Sequence, residues 1–224
     1  MAYTKKTRYG VIALVGAMGT IGGLAGWSTN GLEAGSSSTI VEHEAVSKAG
    51  TRLYEIDSTH TNVIFKIRHG SVSNFYGRFN TTQGTINFDE DTIENSSMEV
   101  RVQMNSIDTH NRVRDGHLKG ADFFNVRQYT EAKFVSSGVK KVSEGVYAVT
   151  GDFTLQGKTV PLEAELHDIR TGTFNNFDVL GVEARFKIKR SDFGITKYLN
   201  ADDPDRGPLG DDVEIVIGFE AIGK

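Results

Sequence analysis

Apolar and polar residues alternate along six stretches of the chain. In one of them, at 98–104, charged or amide side chains alternate with Met98, Val100, Val102 and Met104. The others lie at 63–68, 147–155, 159–166, 182–188 and 213–220. Successive side chains of a β-strand point to opposite faces, so each stretch predicts a strand with one buried and one wet face. So many amphipathic strands must cover their apolar faces, as a sandwich or as a closed barrel.

Three shorter stretches bring the number of predicted strands to eight or nine, namely 53–57, 85–88 and 132–139. Residues typical of turns separate the strands. The clearest turn is Gln156-Gly157-Lys158, which predicts a tight hairpin between the strands at 147–155 and 159–166.

The interval 111–128 breaks the alternating pattern. Its apolar residues recur near helical spacing: Val113, Leu118, Ala121 and Phe124. Asp108 or Asn111 could cap the helix, and two internal glycines predict that it is short. Inserted into a barrel, this segment is expected to cover one end, with Phe123 and Phe124 reaching into the interior.

The composition fits one soluble domain with an N-terminal extension. The chain has 224 residues, of which 38% are hydrophobic and 24% charged, and it has no cysteine. Disulfides and thiolate metal sites are therefore excluded. The net charge is −4, and leaving out three basic residues near the N-terminus gives 22 basic against 29 acidic residues, or −7. An acidic body argues against nucleic-acid binding.

The N-terminal segment predicts export. Lys5, Lys6 and Arg8 precede an uncharged run at 9–27, which as a helix would be roughly 28 Å long. Two alternatives stay open for 1–27, a cleaved signal peptide and a retained transmembrane anchor. Either would place the rest outside the cytoplasm, as a periplasmic or membrane-anchored domain at 51–224 that follows a flexible spacer at 28–50.

Several sequence motifs occur together in the predicted domain. They are YEIDSTH at 54–60, FKIRH at 65–69, NSIDT at 105–109, RDGHLK at 114–119, DFFNV at 122–126, KFVS at 133–136, GDFTLQG at 151–157 and RSDFGI at 190–195. In content and order they resemble the YceI-like family, over nearly all of 53–219. Two departures are Tyr129-Thr130-Glu131, where the family usually has proline after the aromatic residue, and a longer acidic loop at 201–212.

The resemblance implies an all-β fold, an antiparallel eight-stranded lipocalin-like barrel with a short helical insert, commonly exported and holding a long polyisoprenoid or similar lipid. The alternating pattern alone leaves the interior either filled by side chains or open to a ligand. The resemblance favours an open interior. The residues expected to contact the ligand are Val63, Phe65, Ile67, Met98, Val100, Val102, Met104, Phe123, Phe124, Phe153, Leu155, Phe186 and Ile188.

A polyprenyl chain often ends in a diphosphate, so the resemblance also implies a cation near the mouth of the barrel. The candidates for this head-group contact are Arg112, Arg114, His117, Lys119 and Arg190. The alternative for each is an ordinary surface, capping or packing role.

Catalysis and metal binding receive little support from the sequence. Asp115 and His117 could form an acid–base pair, but their spacing on a helix puts them on different faces. Nucleophile elbows, glycine-rich phosphate loops and His-x-x-x-His pairs are missing from the sequence. The acidic run from Asp202 to Asp205 lacks the spacing of a calcium loop. We therefore expect no enzyme activity, metal or cofactor.

The expected function is binding of a polyisoprenoid, an isoprenoid quinone or a fatty-acid derivative in the lumen, for transport, storage or sequestration. The alternative is a filled barrel that acts as a periplasmic interaction or stress protein without a small ligand.

Overall fold

The computed structural model describes residues 50–224; the predicted signal or anchor at 1–27 and nearly all of the spacer at 28–50 lie outside them. The strands are β1 Arg52–Ile56, β2 Asn62–His69, β3 Ser73–Phe79, β4 Thr82–Phe88, β5 Ser97–Gln103, β6 Ile107–Asp108, β7 Glu131–Ser143, β8 Val146–Leu155, β9 Lys158–Phe174, β10 Phe177–Lys189 and β11 Leu209–Gly223. One α-helix, α1 Arg112–Leu118, lies between β6 and β7. Within 50–224 no helix is long and apolar enough to span a bilayer.

The strands close into an antiparallel barrel. β1 and β2 both pair with β11, at opposite ends of it, so they are two halves of one bent strand. β3 and β4 are likewise two halves of one strand, and they pair with β2 and β1. β5 and β6 are two halves of the next strand, and they pair with β4 and β3. Counted in this way, eight strands form a closed ring from β1–β2 through β7, β8, β9 and β10 to β11. This confirms the predicted eight-stranded barrel.

Most predicted strands are present, and several are longer than the sequence indicated. The hairpin between β8 and β9 is confirmed, with Gln156 and Gly157 both at positive φ, as a two-residue turn of this kind requires. β9 and β10 continue to a second such turn at Asn175 and Asn176. β3 was not predicted, because Gly77 occupies an inward-facing position and interrupts the apolar alternation.

One end of the barrel is closed by packed side chains, and we call it the far end. Tyr54 pairs with Ile86 across β1 and β4, and Leu180 pairs with Ala221 across β10 and β11; all four are buried. The rings of Tyr54 and Phe88 pack edge to face with centroids 6.5 Å apart. The far end therefore has a conventional apolar core.

Helix α1 is shorter than the interval 111–128 that the sequence set apart. Of the two predicted caps, Asp108 and Asn111, the helix uses Asn111, whose side chain accepts hydrogen bonds from the N–H groups of Val113 and Arg114 at 3.1 and 3.0 Å. Val113, which occurs near helical spacing in the sequence, is 71% exposed. It lies five residues before Leu118, about 140° around the helix, so the two side chains are on different faces of α1.

The junction between β1 and β2 is tied to β11 by ionisable groups. His60 Nδ1 lies 2.8 Å from Asp57 Oδ2 and 3.6 Å from Glu220 Oε1. The hydrogen bond to Asp57, and then the charges of Asp57 and Glu220, raise the pKa of His60. The protonated imidazole therefore stabilises the closure of the barrel at this point.

Replacing His60 with Gln should change how stability depends on pH. Because the folded-state pKa of His60 is raised, its contribution is complete below the unfolded value of about 6.5 and is lost as pH rises through the folded value. Urea unfolding at a series of pH values should show the wild type losing its advantage over His60→Gln from mildly acid to mildly alkaline pH. A difference that stays constant over this range would contradict the assignment.

Candidate functional site

The barrel encloses a cavity of about 1080 Å³ with a mainly apolar lining. All thirteen residues predicted to contact a ligand border this cavity: Val63, Phe65, Ile67, Met98, Val100, Val102, Met104, Phe123, Phe124, Phe153, Leu155, Phe186 and Ile188. Their place in the cavity wall follows from the period-two alternation of each strand and from the fold of the segment after α1. Their contact with a ligand stays a prediction.

Two glycines allow aromatic rings to pack closely against the cavity wall. Gly77 pairs with Phe65 across β3 and β2, and a Cβ at Gly77 would lie 2.3 Å from the ring of Phe65. A Cβ at Gly151 would lie 2.2 Å from the carbonyl oxygen of Val135 and 2.7 Å from the ring of Phe134. Contacts this short are not tolerated, so a larger residue would displace the ring of Phe65 at Gly77, and both backbone and ring at Gly151. These positions keep space open in the interior.

The cavity reaches the surface at the end opposite the far end, which we call the mouth. Exposed residues with polar groups line it there: His69, Ser73, Arg114, His117, Asp122, Lys197 and Tyr198. Leu209 of β11 pairs with His69 of β2 at this end. The cavity is therefore apolar along its wall and polar at its opening.

The predicted head-group residues fall into two groups. Arg114, His117 and Arg190 border the cavity, whereas Arg112 and Lys119 are not among its lining residues. The guanidinium of Arg114 lies 4.4 Å from the centroid of the Phe75 ring. Its Nε donates to Thr109 Oγ1 at 2.9 Å, so this cation is held at the mouth by its own contacts.

Arg190 is buried and saturated with hydrogen bonds. Its side chain is only 3% exposed and donates to four backbone carbonyls at 2.7 to 3.0 Å, those of Ile195, Lys197, Leu209 and Gly210. Burial lowers the pKa of Arg190, and the nearby carboxylate of Asp211 opposes this shift. One of its five N–H groups is left for a ligand, so its contacts chiefly join the end of β10 to the loop before β11.

The acid–base pair considered from the sequence has another arrangement in the structure. Asp115 Oδ1 accepts a hydrogen bond from the N–H of Thr109 at 3.0 Å, which ties α1 to the end of β6. In the described part of the chain, Asp57, His60 and Glu220 form a group whose potential metal-ligand atoms lie within 4.8 Å of one another. The Nδ1 atom of His60 is already hydrogen-bonded to Asp57.

Sequence reasoning missed many residues of the cavity lining, among them Phe75, Phe79, Lys197 and Tyr198. Phe75 and Phe79 line the cavity from β3, and the Phe-x-Gly-x-Phe spacing at 75–79 was the pattern that could have revealed them. Lys197 and Tyr198 lie in an irregular loop that carries no periodic pattern. Lys197 Nζ lies 3.0 Å from Asp122 Oδ2, and the hydrogen bond to Asp122 raises the pKa of this lysine.

Comparison with known proteins agrees with this architecture. The family model described as the YceI-like domain matches residues 54–221. The chain belongs to the YceI-like family. A UPF0312 protein from Serratia proteamaculans is 39% identical over 173 residues, covering 75% of this chain and 85% of that protein. The protein YceI of Salmonella newport is 38% identical over 173 residues, covering 75% and 86%.

Solved structures share the fold of this YceI-like chain. A Campylobacter jejuni YceI protein has a TM-score of 0.61 at 27% identity, covering 70% of this chain and 90% of that one. Burkholderia cenocepacia BcnA has a TM-score of 0.63 at 21% identity, covering 74% and 98%. A polyisoprenoid binding domain from Saccharophagus degradans has a TM-score of 0.56 at 14% identity, covering 76% and 98%. The last two likenesses concern the fold alone.

Replacing Arg190 with Gln should lower the free energy of unfolding by about 3 kcal/mol, because several buried carbonyls lose their donor. The matched control is Arg185→Gln, which removes an exposed ion pair with Glu183 from the same strand and should cost less than about 1 kcal/mol. Denaturant unfolding of both variants measures the difference. Equal losses would show that Arg190 does not hold the loop.

Replacing Gly77 with Ala should destabilise the barrel by about 1 to 3 kcal/mol, because the new methyl group meets the ring of Phe65. In a Phe65→Leu background the same substitution should cost distinctly less. A double-mutant cycle by denaturant unfolding tests this coupling, and purely additive losses would count against the contact.

Proposed function

We propose that this chain is a lipid-binding barrel that shelters a long apolar chain, such as a polyisoprenoid, an isoprenoid quinone or a fatty-acid derivative, for transport, storage or sequestration. The observation that carries the proposal is the apolar cavity of about 1080 Å³. This volume is at or slightly above the upper end of the roughly 300 to 1,000 Å³ typical of ligand pockets. A fold shared with a polyisoprenoid binding domain from Saccharophagus degradans supports the same ligand class.

The energetics favour an apolar occupant over water. An engineered apolar cavity of about 150 Å³ stays dry and binds apolar molecules, and the cavity here is roughly seven times larger. Each methylene transferred from water to its wall contributes about 0.8 kcal/mol. Binding should therefore depend more on the length of the tail than on the identity of the head.

A polar head would lie at the mouth. His69, Arg114 and His117 border the cavity there and offer N–H donors to a phosphate, hydroxyl or carbonyl oxygen. Lys197 is also present, already paired with Asp122. This arrangement supports a ligand with an apolar tail inside and a polar end in water.

The filled-barrel alternative receives less support. In a filled barrel the large inward side chains would close the interior, whereas four of them here border the cavity: Phe65, Met104, Phe153 and Phe186. The rings of Phe153 and Phe186 pack edge to face, 6.1 Å apart, so they support each other within the wall. Asp115 is engaged by Thr109, which also makes binding a better proposal than catalysis around His117.

Export completes the proposal. The basic residues and the uncharged run at 9–27 are typical of a signal peptide or membrane anchor, and both would place the barrel outside the cytoplasm. In this proposal the partner of the protein is a lipid. Secretion or membrane fractionation of the full chain, probed with an antibody, tests this placement.

The decisive measurement is native mass spectrometry of the full chain purified without added lipid. A discrete extra mass that is released on denaturation and fragments as a long-chain lipid would support the proposal and give the ligand class. A protein that remains ligand-free after incubation with polyprenyl and quinone lipids would overturn it.

Filling the cavity should weaken lipid binding more than it lowers stability. Val63 faces the cavity and its neighbour Ile64 faces outward with 43% exposure. Val63→Trp should therefore raise the Kd for lipid at least about tenfold, as over about 1.4 kcal/mol of tail contact is lost, while Ile64→Trp should leave the Kd unchanged. Native mass spectrometry measures occupancy and urea unfolding measures stability. Equal occupancy in the two variants would refute binding in the lumen.

A further inference from the structure

The apolar side chains around the mouth are unusually exposed. Val72 in the turn between β2 and β3 is 84% exposed, Val113 on α1 is 71% exposed, and Tyr198 in the loop after β10 is 57% exposed. We call the turn at 70–72, helix α1 and the loop at 195–198 the mouth rim. Exposed apolar side chains grouped around the opening of a cavity indicate a surface that meets something apolar.

Contacts through neighbouring residues connect the three parts of the mouth rim. The N–H of Gly70 donates to the carbonyl of Pro208 at 2.9 Å, and the N–H of the next residue, Leu209, donates to the carbonyl of Tyr198 at 3.2 Å, which connects the turn to the loop after β10. Arg114 of α1 stacks on Phe75 of β3. The rings of Phe123 and Tyr198 lie 6.3 Å apart, which joins the segment after α1 to the loop after β10. The exposed residues therefore belong to one continuous structure around the opening.

The charge of α1 is opposite to that of the chain as a whole. The chain has a net charge of −4, whereas α1 and its last cap carry Arg112, Arg114 and Lys119 against Asp115. Arg112 is exposed beside Val113. Apolar tips flanked by cations are the combination that binds anionic lipid surfaces, where each Lys or Arg strengthens binding about fivefold.

We propose that the mouth rim docks on a bilayer containing anionic phospholipids, with Val72 and Val113 inserted among the headgroups and Tyr198 at the interface. The cavity opens between these tips, so an apolar chain could pass between bilayer and barrel without crossing water. Asp202 and Asp203 follow Tyr198 in the same loop, and their repulsion from an anionic surface tilts the contact toward α1. This docking goes beyond ligand binding and does not require the cavity to be occupied.

The far end of the barrel also has exposed apolar side chains and is therefore an alternative docking surface. Phe174 and Phe177 flank the turn between β9 and β10 and are 66% and 58% exposed, and Val142 near the β7–β8 turn is 59% exposed. Asp168 pairs with Arg170 and Asp178 pairs with Arg52, so charges of both signs lie near these residues. The far end is closed by packed side chains, whereas the mouth rim combines exposed apolar residues and the cations of α1 with the opening of the cavity, and this combination selects the mouth rim.

The test uses the full chain, which has no cysteine of its own, so that one introduced thiol can carry a polarity-sensitive fluorophore. The labelled variants are Val72→Cys and Val113→Cys at the mouth rim, with Val142→Cys and Phe174→Cys as matched controls at the far end. Each is mixed with vesicles of phosphatidylcholine alone or of phosphatidylcholine with phosphatidylglycerol. The N-terminal segment is the same in all variants and cannot produce a difference between the ends.

The expected result is a blue shift of the rim probes on the anionic vesicles only, weakened by salt. Adding Arg112→Gln or Lys119→Gln should lower the apparent vesicle affinity about fivefold each. The Val63→Trp background should retain the shift, which separates docking from lumen binding. Rim probes that do not respond to anionic vesicles, or far-end probes that shift instead, would overturn the proposal.

Discussion

Backbone pairing around a closed ring is the constraint on which the rest of this molecule depends. β11 pairs with β10 along its length and with both β1 and β2 on its other side, so the ring has no free edge at its seam. A closed ring satisfies the strand N–H and C=O groups within the wall itself. Hydrogen bonds between neighbouring strands therefore hold the wall together, and the middle of the barrel can stay open while the far end is packed.

Glycine and aromatic residues together determine how much of the interior stays open. An inward ring normally projects toward the barrel axis, but Phe65 and Phe134 lie over Gly77 and Gly151. The same side chains thus give apolar surface to the wall without occupying the centre. A barrel with alanine at these positions would have an almost identical composition and a smaller cavity.

The period-two pattern predicted the strands and their inward-facing residues, because burial on one face is the strongest constraint on a strand, and the resemblance to the YceI-like family predicted that the strands form a barrel. The pattern did not predict the structure correctly where the packing of a ring or the geometry of a helix decided a residue's place. β3 was missed because Gly77 leaves room for a ring, so an inward position lacks an apolar residue. Val113 sits near helical spacing, yet it lies about 140° around α1 from Leu118 and faces solvent.

The polar residues of the mouth were harder to predict than the wall. Arg190 was predicted to meet a head group, but its place after β10 gives it four backbone carbonyls, a role that depends on the path of a distant loop. Lys197 and Tyr198 meet Asp122 and Phe123 only because two irregular segments converge in space. Contacts between irregular segments leave no periodic pattern in the sequence.

Within residues 50–224, the first and last strands are neighbours. The N–H of Lys224 donates to the carbonyl of Leu53 at 3.0 Å, and its ammonium group pairs with Glu55, at the end away from the mouth. A short linker could therefore join them, and the chain could be cut instead between Asn175 and Asn176, in an exposed turn. Such a circular permutant would keep every ladder of the ring. The barrel thus depends on which strands are adjacent in space, and the same pairings can form when the strands follow one another in a different order along the chain.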